Sequence, residues 1–143
     1  MSTEENKRNV LRWKDEIWNK RNVNIVDELY APDYVGHIVG ASGPARGREA
    51  LKHLLAVYFA FDGHYTSEFL IAEGDMVAVY DTFRFKHTGP FQGISPTGKE
   101  ATFTGTDIYR VVAGKFVEQW LEVDIFGFMQ QLGVLPTPGQ GTA

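Results

Sequence analysis

Apolar residues recur at helical spacing over the first sixty or so positions and at alternate positions after that, so the chain reads as helices first and strands second. Ser2 and Glu5 have the spacing of a capping box, in which each side chain satisfies the other's orphan backbone N–H. Val10, Leu11, Trp13, Lys14, Ile17 and Trp18 then form a helix-period stripe that ends near Asn19. Asn24 is placed to cap a short second helix over residues 25–30, which Pro32 stops by pushing the preceding residue out of the α region. Residues 33–39 read as extended and 40–47 as a loop. Leu51, Leu54, Leu55, Tyr58 and Phe59 mark a third helix.

Beyond Asp62-Gly63 the period becomes two. Residues 64–73, 76–88, 99–112 and 116–124 are strands rich in Val, Phe, Tyr and Thr. Gly74-Asp75 and Ala113-Gly114 are tight-turn signals between them, and the Gly- and Pro-rich stretch 89–98 is a longer loop. Residues 125–132 form a terminal helix with Gly133 as its C-cap, and 136–143 a flexible tail. Helices followed by an antiparallel meander predict an α+β fold: a long curved antiparallel sheet, covered on one face by the N-terminal helices, enclosing a cone-shaped pocket.

Composition narrows the function. The chain has 143 residues, 43% of them hydrophobic, which suits one domain over residues 1–135 and excludes wholesale disorder. A net charge of −4 argues against nucleic acid as a partner, and no apolar run is long enough to cross a bilayer. The N-terminus lacks the apolar core of a signal peptide, so the cytoplasm is the expected location. With no cysteine there is no thiolate zinc site and no cysteine nucleophile.

If Ala113-Gly114 closes a two-residue hairpin, Asp107 lies opposite Trp120, Gly105 opposite Glu122 and Phe103 opposite Asp124. One sheet face then carries Phe103, Gly105, Asp107, Tyr109, Glu118, Trp120, Glu122 and Asp124, and the other Thr102, Thr104, Thr106, Ile108, Arg110, Val117, Gln119, Leu121 and Val123. Spacing alone leaves open whether the acidic face lines a cavity or meets solvent. A carboxylate in such a cavity would have its pKa raised by desolvation and like charge, which suits acid–base work near neutrality. Asp81 stands in an apolar alternation, as a second cavity acid or a polar residue near a sheet edge. Asp81, Arg84, Arg110 and Asp107 also contain the residue types of an Asp-Arg-Asp epoxide-opening relay.

The four histidines are scattered. His37 lies in the extended segment and His87 ends the second long strand at a loop rim, while His53 and His64 carry no signal. No histidine pair has a metal-ligand spacing, so no metal is expected. Trp13 and Trp18 read as core and pocket wall. Dinucleotide, phosphate-loop and nucleophile-elbow motifs are missing.

The stretch Ala31-Pro-Asp-Tyr-Val-Gly-His37 is similar to the segment that opens the pocket in the SnoaL-like polyketide cyclases. The stretch Gly89 to Gly98 resembles their G-x-x-x-G-x-P-P-T-G loop, with Ser95 replacing the first proline. Phe103-Thr-Gly-Thr-Asp-Ile-Tyr-Arg110, Gly114-Lys115, Glu118-Gln-Trp120, Asp124 and Gln130-Gln-Leu-Gly133 are similar to the family's C-terminal half. The likeness runs from about residue 5 to 135. It implies a nuclear transport factor 2-like α+β barrel, shared with ketosteroid isomerases and scytalone dehydratases. The family's characterised members close a polyketide ring by intramolecular aldol condensation, with a pocket aspartate as acid/base and neither metal nor cofactor. The resemblance turns the acidic face inward. Asp124, in a W-x-x-x-D pattern, becomes the first candidate for the acid, with Asp107 and Glu122 next. His37 would supply the contact across the cavity, and Trp120, Phe103, Tyr34, Trp13, Asp81 and His87 its walls. The family's characterised members place a histidine near the acid, and this sequence has none in its last two strands. The substrate implied is a small, hydrophobic, carbonyl-rich molecule; a non-catalytic module sheltering such a ligand is the alternative. The apolar outer face left by this arrangement predicts a homodimer or higher homo-oligomer.

Overall fold

The structure is a computed structural model that describes residues 2–38, 42–59 and 61–135. The expected tail at 136–143 and part of the expected loop at 40–47 lie outside the described residues.

Helix α1 (Thr3–Lys14) starts where Ser2 Oγ accepts from the Glu5 N–H at 3.1 Å, as the capping spacing predicts. It continues as one π turn, Asp15–Asn19, closed by a hydrogen bond from Lys20 N–H to the Asp15 carbonyl. Helix α2 (Ile25–Leu29) has no side-chain cap from Asn24. It runs straight into strand β1 (Tyr30–Ile38), the two-residue strand β2 (Ala45–Arg46) and helix α3 (Gly47–Tyr58). Four long strands follow: β3 (Phe61–Glu73), β4 (Met76–His87), β5 (Glu100–Val112) and β6 (Lys115–Val123), and α4 (Ile125–Gln131) closes the described chain.

The strands form one curved six-stranded sheet in the order β2-β1-β6-β5-β4-β3. The meander from β3 to β6 is antiparallel, but β1 joins β6 in parallel. The expected antiparallel sheet is therefore mixed, and it is open rather than a closed barrel. Its inner face meets the helices across two continuous apolar clusters, one around Val10, Trp13, Ile17, Tyr109 and Phe116, the other around Phe61, Phe83, Phe85, Phe91 and Phe128. Trp18 touches both.

The β5–β6 hairpin corrects the expected register. Ala113 and Gly114 both have positive φ, so the two-residue turn forms and Val112 pairs with Lys115. One step later the pairing slips: Val111 opposes Phe116, but Arg110 opposes Glu118, leaving Val117 as an extra residue on β6. This bulge changes the parity of the rest of the strand. Asp107 pairs with Leu121 and Gly105 with Val123, so Gln119, Leu121 and Val123 join Asp107 and Tyr109 on the inner face. Glu118, Trp120 and Glu122 pass to the outer face beside Thr106, Ile108 and Arg110. Gly105 is needed at its position, since a Cβ there would lie 2.7 Å from Val123 Cγ1 and 3.2 Å from Phe83 Cε2.

Candidate active site

Between the helices and the inner face lies a cavity with two lobes that share Trp18, Tyr58, Phe83 and Leu121. The first, about 40 Å³ and open at its mouth, is walled mostly by aromatic rings, including Phe61, Phe91, Phe103 and Phe128. The second, also about 40 Å³, carries the polar groups: Lys14, Asp107, Tyr109 and Gln119, beside Trp13 and the leucines of α3.

Lys14 comes from the last position of α1, one turn after Val10 and one turn before Ile17, both fully buried. It is therefore carried into the core and is only 2% exposed. Its ammonium donates to Asp81 Oδ2 at 3.0 Å and is in contact with Asp107 Oδ2. Both acids sit at inward positions of apolar alternations, on β4 and β5. Tyr65 O–H donates to Asp81 Oδ1 at 2.5 Å. Gln119 Nε2 donates to Asp107 Oδ1 at 2.7 Å, while Gln119 Oε1 accepts from Tyr30 and Tyr34 at 3.1 and 2.9 Å. Trp13 Nε1–H donates to the Tyr109 hydroxyl at 3.1 Å. The amide of Gln119 is thus fixed in one orientation, with its donor end on Asp107.

Charge and burial compete here. Burial works against the Lys14 ammonium, but Asp107 and Asp81 together outweigh it and hold the amine well above its ordinary range. Burial pushes the Asp81 carboxyl up, against the pull of Lys14 and the Tyr65 hydroxyl, and the charge of Asp107 adds to the rise. Burial also lifts the phenols of Tyr30, Tyr34, Tyr65 and Tyr109. One ammonium shared by two carboxylates leaves the cluster an excess acid, held where water is scarce.

The residues expected at the site separate into three groups. Asp107, Trp13 and Phe103 line the cavity. Asp81 and Tyr34 are fully buried behind it, in the hydrogen-bonded network, and Asp81 is therefore not a sheet-edge residue. His87 is also fully buried, at the inner end of β4. The remaining four do not face the cavity. Asp124 is exposed and caps α4, accepting from Gly127 N–H at 2.9 Å. Glu122 and Trp120 lie on the outer face because of the Val117 bulge. His37 is outside as well, 2.8 Å from Glu118 and stacked on Trp120 with ring centroids 5.5 Å apart. Arg84 and Arg110 have exposed side chains paired with Glu100 and Asp75, so no Asp-Arg-Asp relay forms with the buried acids. Among the described residues no group of three His, Asp or Glu side chains gathers to hold a metal ion, and no helix is long and apolar enough to cross a membrane.

Comparison with known proteins agrees with this architecture. The profile of the SnoaL-like polyketide cyclases matches residues 8–132. A SnoaL-like protein from Jannaschia sp. CCS1, provisionally called a polyketide cyclase, shares 23% identity; the alignment covers 94% of this chain and 95% of that one, with a TM-score of 0.86. AclR from Streptomyces galilaeus, provisionally called a hydroxylase, is 27% identical over 95% of this chain and 89% of its own, with a TM-score of 0.82. IdmH from Streptomyces antibioticus, provisionally a polyketide cyclase, is 30% identical over 85% and 94%, with a TM-score of 0.73. No protein of curated function matches the sequence. The fold is the nuclear transport factor 2-like α+β cone, and the chain belongs to the SnoaL-like polyketide cyclase family.

Proposed function

We propose that this protein is an acid/base catalyst acting on a small, hydrophobic, carbonyl-rich molecule of the polyketide type, with Asp107 as the proton carrier. The supporting observation is the Asp107 carboxylate at the polar lobe, oriented by Gln119 and paired with a lysine that also faces the lobe. In this reading the aromatic lobe holds the ligand skeleton and the polar lobe its reacting carbonyls. Asp107 removes a proton from the carbon next to a carbonyl, and the electron pair moves onto that carbonyl oxygen as the C–H bond breaks. Lys14 has three N–H donors, of which the two aspartates take two; the third stabilises the enolate oxygen. In ring closure the enolate carbon then attacks a second carbonyl of the same molecule, and the resulting alkoxide recovers the proton from Asp107. In isomerisation the proton returns to a different carbon. Neither course consumes a redox equivalent, and no cofactor is called for.

Exchange of the α-hydrogens of β-tetralone in deuterated buffer, followed by proton NMR, tests the proton transfer itself without knowledge of the natural substrate. The protein should accelerate exchange, and Asp107→Asn should lower the acceleration by roughly 10²–10⁴-fold. An equal rate in a folded Asp107→Asn variant overturns the reading. Tetralone binding without any acceleration supports a binding module instead.

Assembly as a homodimer or higher homo-oligomer is part of the same proposal. On the outer sheet face Phe69 and Ile71 are 56% and 63% exposed, next to Tyr80 and Ile108. An apolar stripe of that kind is suited to a second copy of the same face. A sedimentation mass near that of one chain at micromolar concentration argues against it.

A further inference from the structure

Six inward positions succeed one another along β4: Val77, Val79, Asp81, Phe83, Phe85 and His87. The last is 0% exposed, and its Nε2 has no hydrogen-bond partner. Everything else on this residue is satisfied. Its N–H donates to the Lys99 carbonyl and its carbonyl accepts from the Gly98 N–H, each at 2.9 Å. Its Nδ1 accepts from the Thr97 N–H at 3.2 Å and lies 3.1 Å from the Thr97 hydroxyl. A peptide N–H only donates, so Nδ1 carries the lone pair, and the hydrogen-bond network assigns the ring proton to Nε2. The result is a buried N–H donor with no acceptor, a rare arrangement in a folded protein.

Its surroundings explain why no protein group answers it. Phe61 lies against the imidazole with ring centroids 5.3 Å apart, and Phe61 packs in turn on Phe91 and Phe128, all three of which line the aromatic lobe. The Phe61 ring does not serve as a π acceptor: the two planes are tilted by 35°, far from the right angle that points an N–H into a ring face. Because Nδ1 is turned toward the loop at Thr97, Nε2 is directed to the other edge of the ring, away from that loop.

We propose that the Nε2–H of His87 anchors an uncharged oxygen acceptor of the ligand, a ketone carbonyl or a phenolic oxygen, at the end of the aromatic lobe remote from Lys14 and Asp107. The acceptor is uncharged because no charged side chain lines that lobe. His87 is not itself among the residues that line that lobe; Phe61 lines it and lies against His87, so an occupant reaches the donor by displacing the Phe61 ring. His87 lies six residues beyond Asp81, at most about 20 Å of extended strand, so the ligand is elongated and carries oxygen at both ends. This rests on the reading of the cavity as the site for a carbonyl-rich molecule, and it adds a determinant of which such molecules fit.

The test compares acetylbiphenyl with ethylbiphenyl, which share a shape and differ by one carbonyl oxygen. Titration calorimetry on the native protein should give roughly tenfold tighter binding of the ketone. His87→Phe, which keeps an aromatic ring and removes the donor, should bind both compounds alike. In the native protein the Nε2-bound proton resonance of His87 should move on addition of the ketone and stay in place with the hydrocarbon. A ketone preference that survives in His87→Phe, or no preference in the native protein, overturns the proposal. If His87→Phe does not fold, the resonance decides alone, and an unmoved signal at saturating ketone overturns it. Binding is read without turnover, so a preserved ketone preference alongside no tetralone exchange removes only the catalytic reading. Failure of both biphenyls to bind removes the cavity reading and this proposal together.

Discussion

Lys14 and Asp107, on the first helix and the fifth strand, form a buried ion pair on the floor of the polar lobe, and Asp81 shares the same ammonium. Removing one member of such a cluster leaves the others in low dielectric without compensation. Lys14→Met should therefore destabilise the fold by about 3–5 kcal/mol. Adding Asp81→Asn and Asp107→Asn to Lys14→Met should recover much of that loss, because the triple variant buries no charge. Urea denaturation of the three proteins measures both effects; equal stability of Lys14→Met and the native chain would count against the buried pair.

Asp124 and Glu122 provide the contrast to Asp107. Asp124→Ala removes the cap of α4 and should cost about 1 kcal/mol, read as a melting point lower by about 3 °C. Its tetralone exchange rate should equal that of the native protein. Glu122→Gln on the exposed outer face should change neither quantity. A rate loss of tenfold or more in either variant would shift the acid away from Asp107.

Alkaline pH should unfold this protein. Burial raises the phenols of Tyr30, Tyr34, Tyr65 and Tyr109 above the value of about 10 that they take in the unfolded chain. A group with a raised folded pKa contributes its full stability below the unfolded pKa and loses it as pH climbs toward the folded one. Above pH 10 the unfolded state alone releases these protons, so each phenol lowers stability by about 1.4 kcal/mol per pH unit. Lys14, raised in the same direction, adds to the decline above its ordinary value of 10.5. Chemical denaturation between pH 8 and 11 (about one unit per step) should show a plateau and then a steep fall starting near 10.

Gly105 stands between Phe83 and Val123, with no room for a methyl group. Gly105→Ala should cost about 1–3 kcal/mol through overpacking. Pairing it with Val123→Ala, which removes the nearest obstructing atom, should return part of that loss in a double-mutant cycle.

The strands and helices were legible because their periods are long and their turns carry Gly, Asn or Pro; the ends of β4, β5 and β6 fall within a residue of where alternation puts them. The contents of the site were legible only in part. Asp107 and Phe103 sit on β5, before the bulge, and face inward as expected. Glu122 and Trp120 follow it on β6 and do not, because Val117 carries no glycine or other signature of an extra residue. His37 was decidable from parity: Tyr34 and His37 are three positions apart, and an odd separation on one strand puts them on opposite faces. Lys14 was passed over because a lysine on an apolar stripe ordinarily carries its charge out to water along its methylene stem. The signal that identifies it is joint: a cation on the buried stripe of a helix, and two acids on the buried rows of strands. The parallel pairing of β1 with β6 had no local trace, since their partnership is decided by the whole sheet.

The ion pair also imposes an order in time. Lys14 is made first, whereas Asp81 and Asp107 follow it by 67 and 93 residues. While the chain is being synthesised, the first helix has a solvated lysine and no sheet to rest on. Once both acids have emerged, they have no counter-ion until that helix docks. The buried cluster thus joins one helix to strands made 67 and 93 residues after it, and it closes only when that helix docks on them.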